Sequence, residues 1–204
     1  KQHWPAQTDA QLVEAIATYA ATVPAAERDT PRFKNVLELG TTLAKSAPGG
    51  DQLIARMNSL VVQSFTIKTV EAQMKYDVTQ FFVEAGRPVE ITFDNPDIMQ
   101  HNLVVVQPGS MEEVGRAGDA MGATGFQRDF IPENPKVMHH SKLVNPKAKE
   151  VIRFNAPEQP ADYPYVCTFP GHWPIMNGVM TVVAKGSPQA GKVVRGSTGA
   201  AAPE

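Results

Sequence analysis

The sequence predicts a mainly β protein, a two-sheet antiparallel Greek-key sandwich with an N-terminal helical extension, and three observations carry that prediction. Up to about Val62, apolar residues recur at helical spacing. Beyond it, short runs of β-branched and aromatic residues alternate with polar ones. Turn residues separate these runs, roughly eight in number, at the intervals of a sandwich. Residues 1–62 are therefore expected to form the helical extension and 63–185 the β domain. Residues 186–204, rich in Gly, Ser, Ala and Pro with no apolar period, are expected to form a flexible tail.

In the extension, Leu12, Val13, Ile16, Ala17, Ala20 and Val23 fall on one helical face, with Thr8 or Asp9 available as N-cap and Pro24 closing the run. Thr30 followed by Pro31 restarts a helix, and Phe33, Val36, Leu37, Leu39, Leu43 and Ala44 give it an apolar face before Ser46–Gly50 ends it. Asp51 is expected to cap a third, shorter helix through Leu53, Ile54, Met57 and Leu60. An isolated helix with one apolar stripe is marginal in water, so the three must pack on each other, on the following domain or on a partner.

The expected strands cover Phe65–Thr69, Asp77–Val83, Pro88–Phe93, His101–Val106, Val137–Val144, Glu150–Phe154, Tyr163–Thr168 and Met176–Val183. Between them, Ser110 and Glu113 form a capping-box pair that opens a short helix to about Ala120. The Gly-rich stretch 115–125 is expected to lie over the strands as a flap.

Net charge is −2 and the pI is near 6.2, which gives no sign of a nucleic-acid surface. No apolar run approaches the length of a membrane helix, and no charged then apolar leader opens the chain. The chain starts Lys1-Gln-His without Met, as a mature or trimmed fragment would.

Chemistry concentrates in Tyr163-Pro-Tyr-Val-Cys-Thr-Phe-Pro-Gly-His-Trp-Pro-Ile-Met176, which brings Cys167, His172 and Met176 into one short turn. Cys167 is the only cysteine, so it has no disulfide partner in this chain. A lone cysteine at the end of an apolar strand is more often a small core residue than a ligand. Here an imidazole and a thioether follow it, and thiolate, imidazole and thioether together select copper over any hard cation. A second imidazole, best supplied by His101 of Asp94-Asn-Pro-Asp-Ile-Met-Gln-His-Asn102, completes a blue-copper set. Pro170, Gly171 and Pro174 stiffen or sharpen the turn, as a site that keeps one geometry in both oxidation states requires.

Met180 competes with Met176 for the axial position, but its place inside a strand favours core packing. His139 and His140 are adjacent, so a strand sends them to opposite faces, against a second metal site. Trp173, Pro174 and Ile175 fit two readings equally, a plug at the end of the sandwich or an apolar docking face beside His172, with Met99 and Phe169 completing the face.

From about Phe65 to Lys185 the sequence resembles the cupredoxin family, and most of all its azurin and auracyanin members. Asp94-Asn-Pro-Asp97 leading into His101-Asn102, then Val137-Met-His-His-Ser-Lys-Leu143, then Cys167-Thr-Phe-Pro-Gly-His172 followed by Met176, come in the family's order and spacing. The resemblance implies one type 1 copper per chain, held by His101, Cys167 and His172 with Met176 as weak axial ligand. It also implies that the Asn102 and Phe169 N–H groups donate to the Cys167 sulfur, and that the Asn102 side chain ties its strand to Thr168. His140 falls where the azurin pattern has a histidine that is not a ligand. Gln100 stands where azurin has Gly before the first ligand, and azurin's disulfide is absent. The stretches Glu90–Asp97 and Tyr163–Val179 also resemble cupredoxin modules fused to large bacterial dehydrogenase-like proteins.

The function this implies is one-electron transport, copper cycling between Cu(I) and Cu(II), with electrons entering through the partly exposed edge of His172. The location implied is the bacterial periplasm or another extracytoplasmic space. The partner is then a redox protein such as a cytochrome, or a fused dehydrogenase or haem domain. The alternative is a copper-binding or copper-delivery module without a redox role, which needs an open, exchangeable site. A multicopper oxidase or nitrite reductase needs further histidine clusters, and five histidines with no His-x-His pair do not supply them.

Overall fold

A computed structural model of the chain describes residues 6–24, 27–28 and 30–196. They fall into two compact units, a helical one that ends at Gln63 and takes in Gly86–Pro88, and a β unit of Ser64–Ala85 and Val89 onward.

The helical unit contains α1 (Ala6–Thr22), α2 (Pro31–Ala44) and α3 (Gly50–Asn58). Their apolar stripes pack on one another, burying Val13, Ala17, Ala20, Phe33, Leu37, Ala44 and Met57 in a core of their own. Thr30 caps α2 as expected, its hydroxyl accepting from the Phe33 N–H at 3.3 Å, with Pro31 in the first turn. Other details differ. α1 begins at Ala6, ahead of both expected caps. The cap of α3 is Gly49 in the left-handed region, and Asp51 lies in the first turn, where its charge suits the helix dipole. Leu12 and Leu39 are 43% and 55% exposed, because three short helices bury a narrower stripe than their apolar content suggests.

The β unit contains β1 (Gln63–Val70), β2 (Lys75–Tyr76), β3 (Val78–Glu84), β4 (Pro88–Asn95), β5 (Val104–Val106), β6 (Val137–His140), β7 (Ala148–Asn155), β8 (Asp162–Val166), β9 (Asn177–Val183) and β10 (Val193–Arg195). One sheet has the order β2-β1-β4-β7 and the other β10-β3-β9-β8-β5-β6. Their inner faces share one core, in which Phe65, Ile67, Ile91 and Phe93 of the first sheet meet Phe81, Val83, Tyr165 and Met180 of the second. The predicted sandwich is therefore observed.

Two features depart from the prediction. β3 and β9 pair in parallel, so the six-stranded sheet is mixed rather than antiparallel. Residues 193–195, inside the expected tail, form β10 and pair with β3. Alternation along a strand encodes which face is buried, but not the direction or identity of a neighbour distant in sequence.

The flap is α4 (Met111–Asp119), followed by the 3-10 segment Gly122–Arg128. Val114 of α4 is buried with Val104, Val106 and Val166 on the outer face of the six-stranded sheet. The Ser110 side chain makes no capping bond, and Glu113 accepts from the Asn134 amide at 2.9 Å, so the expected capping box is not formed.

Candidate metal centre

The loop between β8 and β9 is short because the two strands pair to their ends, Val166 opposite Asn177. One step further, the Cys167 N–H donates to the Met176 carbonyl at 3.0 Å. Between them the chain turns tightly: the N–H groups of Ile175 and Met176 both donate to the His172 carbonyl, at 3.1 and 2.8 Å. Cys167, His172 and Met176 thus share one end of the sandwich, and all are buried.

His101 reaches the same place from the segment between β4 and β5. It lies outside the strand predicted from 101 and is fixed by a two-residue bridge to Val144, its N–H donating at 3.2 Å and its carbonyl accepting at 2.8 Å. Its Nδ1 lies 3.9 Å from Cys167 Sγ, and His172 Nδ1 lies 3.4 Å from the same sulfur. The three ligand-capable atoms of His101, Cys167 and His172 all lie within 4.8 Å of one another. Metal–thiolate and metal–imidazole bonds of about 2.3 and 2.0 Å, at tetrahedral to trigonal angles, separate sulfur from nitrogen by about 3.5–3.7 Å. The donor set is spaced as one small cation requires, and its softness suits copper.

Hydrogen bonds tie the two halves of the site together. Thr168 N–H donates to Asn102 Oδ1 at 2.8 Å, and Asn102 Nδ2 donates to Thr168 Oγ1 at 2.9 Å and to the Asp129 carbonyl at 2.8 Å. Thr168 Oγ1 donates to the Phe130 carbonyl at 2.7 Å. Asp129 and Phe130 both take φ of 53°, a region costly for residues with a Cβ, and their carbonyls face this network. Beneath it, Tyr76 Oη donates to the Asn102 carbonyl at 2.6 Å.

The flap closes the other side. Asp119 accepts from the Gly171 N–H and from the Trp173 indole N–H, each at 2.8 Å, and so grips the residues on both sides of His172. A Cβ at Gly118 would stand 2.6 Å from the Thr168 carbonyl oxygen, and one at Gly115 would strike the Trp173 ring, so glycine lets α4 approach the loop. Trp173 is therefore held as a packing residue, with Arg116 5.8 Å above its ring. Ile175 and Ile98 are 52% and 71% exposed, and Met99 is half-exposed. Phe169 is half-buried, packed on Phe130 at 5.0 Å and on His172 at 4.9 Å between ring centroids.

Burial sets the electrostatics. It pushes the Cys167 thiol up to about 12, while hydrogen bonds from the Asn102 and Phe169 backbone N–H groups pull the other way. Those two donors are the ones the family resemblance implied. Burial first, and then the neighbouring His101, bring His172 down to about 4, with Asp97 and Asp119 partly offsetting both. His101 is lowered as well, burial outweighing its hydrogen bond to Asp97. Both rings are thus neutral at pH 7, the form that binds metal, and the thiol needs a cation to become a thiolate.

The chain matches the family model of copper binding proteins, plastocyanin/azurin family, over residues 63–183, more than half its length. The chain belongs to that family. This cupredoxin is 32% identical to auracyanin-A of Chloroflexus aurantiacus over 112 residues, 54% of this chain and 68% of that one. It is 28% identical to azurin of Pseudomonas aeruginosa over 137 residues, 66% of this chain and 80% of the other. Among solved structures, auracyanin A of Chloroflexus aurantiacus, a blue copper protein, superposes with a TM-score of 0.55 at 29% identity, covering 60% of this chain and 99% of that one. The dithionite-reduced auracyanin of Roseiflexus castenholzii gives 0.54 at 30% identity, covering 59% and 97%. The cofactor of this cupredoxin is copper, and the His101, Cys167 and His172 cluster is compatible with its site.

The partly exposed His172 edge expected from the sequence is not found: that residue is only 3% exposed, because Phe169 and the flap-held loop close over it. His139 stacks on Phe154 at 4.1 Å and 12°, and His140 lies near the Ser141 carbonyl, so neither joins a metal cluster among the described residues. Two acidic residues that support the site were missed, Asp97 and Asp119. Asp97 was visible only as a carboxylate four residues before His101, and Asp119 lies in a flap whose contacts no local pattern encodes.

Proposed function

We propose that this cupredoxin carries single electrons through one type 1 copper, with His101, Cys167 and His172 as strong ligands and Met176 as weak axial ligand. Bound there, copper supplies the Cu(I)/Cu(II) couple; the chain supplies a rigid, dry, thiolate-containing pocket. The observation that carries this reading is the convergence of three buried ligand atoms within 4.8 Å of one another, in a member of the plastocyanin/azurin family.

The axial assignment to Met176 is supported by its backbone bonds to Cys167 and His172. Met180, by contrast, pairs with Tyr163, four residues back along β8 from Cys167, roughly 13 Å of extended chain. The burial of Cys167, His101 and His172, at 0%, 0% and 3% exposure, argues against the alternative of copper delivery, which needs an open site for exchange.

The partner in this reading is another redox protein, a cytochrome or a fused dehydrogenase or haem domain, met in an extracytoplasmic space. Ile98, Met99 and Ile175, exposed beside the ligand segments, suit a small, transient, apolar contact. None of the described helices is long and apolar enough to cross a membrane. The experiment is electron exchange between the copper-loaded chain and a soluble haem protein followed by stopped flow. Saturable exchange, slowed by Ile175→Lys with the visible spectrum unchanged, supports electron transport. Copper that leaves for a chelator as fast as it binds, with no exchange, supports delivery.

A further inference from the structure

We infer that Asp97 is a positioning residue that biases the copper site toward its oxidised state, by fixing a carboxylate against the outer nitrogen of His101 where water does not reach. The inference rests on the ligand set proposed above. Both side chains are fully buried, and Asp97 Oδ2 lies 3.0 Å from His101 Nε2. The other oxygen, Oδ1, accepts from the Ile98 N–H at 2.7 Å and the Ala72 N–H at 3.2 Å. The backbone of Asp97 is anchored in turn, its N–H donating to Thr69 Oγ1 at 3.3 Å and Asn95 Oδ1 at 3.2 Å.

Two consequences follow from these contacts. A carboxylate surrounded by donors is an acceptor only, so His101 Nε2 carries the proton and Nδ1 presents its lone pair toward Cys167, 3.9 Å away. The tautomer and the direction of the ring are thus fixed before metal arrives. The carboxylate is also a whole charge, where a backbone carbonyl in the same place would bring only a dipole. Behind an imidazole, in a site that excludes water, a fixed anion favours the more positive state of the metal. The Lys147 ammonium, which reaches the Pro96 carbonyl from the residue before β7, does not cancel it, being paired with Glu71 at 2.7 Å.

The test uses the 204-residue chain with Asp97→Asn and Asp97→Ala, measuring Cu(I) and Cu(II) affinities separately by chelator competition, and the reduction potential by redox titration. Asn removes the charge but must set its NH2 against the N–H of either His101 or the backbone, whereas Ala removes charge and acceptor together. In both variants Cu(II) affinity is expected to fall more than Cu(I) affinity, by on the order of tenfold. For a one-electron couple that ratio is a rise of about 59 mV. Equal losses for the two ions, with the potential unmoved, would overturn the inference and leave Asp97 as packing. Should neither variant fold, the unmodified chain loaded with Cu(I) still tests the hydrogen bond on which the bias depends. Its ¹⁵N–¹H spectrum is expected to show a strongly deshielded His101 Nε2–H protected from solvent exchange, and an unprotonated or freely exchanging Nε2 would overturn the inference.

Discussion

His101 and His172 lie with ring centroids 5.0 Å apart, yet the segments that deliver them are fixed by different means. The 94–102 segment is held from inside the fold. Asp97 and His101 are sealed from solvent, His101 is bridged to Val144, and Asn95 donates to the Met99 and Val144 carbonyls at 2.8 and 3.0 Å. The 167–176 loop is held partly from outside, by an exposed Asp119 on α4. The only side chain that bonds directly from the first segment to the backbone of the second is Asn102, through Thr168, among the described residues. One half of the site is therefore a floor and the other a clasp, and the hydrogen bonds of each predict how its loss is felt.

Cutting the link between the halves is expected to have the largest effect. Asn102→Ala strands the Thr168 N–H in a buried place and frees the loop from the floor, so copper affinity should fall on the order of 10- to 100-fold. Folding stability should fall by about 1–3 kcal/mol, the usual penalty for a buried polar group left without a partner. Chelator competition and thermal melting measure the two; an unchanged affinity would mean that the halves are not coupled there.

Proton linkage comes next. Near pH 7 both imidazoles are neutral and the thiol, pushed up to about 12, is protonated, so copper uptake should release one proton, from Cys167. One proton released makes affinity rise about tenfold per pH unit around neutrality. A pH-stat titration counts the proton directly. In the metal-free protein the sign for His172 is also fixed. Its folded value of about 4 lies below the unfolded value of 6.5, so the unfolded state binds the proton first. Stability of the metal-free chain should therefore fall as pH drops from 6.5 to about 4, then level off with respect to this group.

Unfastening the clasp alone should cost less. Asp119→Ala removes two hydrogen bonds at an exposed carboxylate, so melting should shift little while copper affinity falls by less than about tenfold. Broadened amide signals at Gly171 and Trp173, with those of Asn95 and His101 sharp, would show that only the loop was loosened. Broadening in both segments would erase the distinction between floor and clasp. Smallest for affinity is the axial change. Met176→Leu should keep both metal and colour while raising the potential, and Met180→Leu should move the potential less, since Met180 packs in the core opposite Tyr163.

The same division explains what the sequence disclosed. Cys167, His172 and Met176 were legible because one tight turn holds them, and local spacing is what a sequence displays. His101 followed by counting ligands, and the Asn102–Thr168 tie followed from family resemblance rather than from any pattern in the residues. The sandwich was legible from alternation, but the parallel pairing of β3 with β9 and the strand at 193–195 were not, because sequence-distant partners leave no mark on a single strand. Asp97 and Asp119 escaped for a related reason. An acidic residue in a turn is ordinary until the fold shows which N–H groups it meets.

The proposed ligand set is tested most directly by adding Cu(II) to the unmodified chain while recording its visible spectrum. A buried thiolate between two imidazoles should give an intense blue charge-transfer band that saturates at one copper per chain and is absent from Cys167→Ser. A chain that binds Cu(II) without that colour, or whose colour survives loss of the Cys167 sulfur, would contradict it.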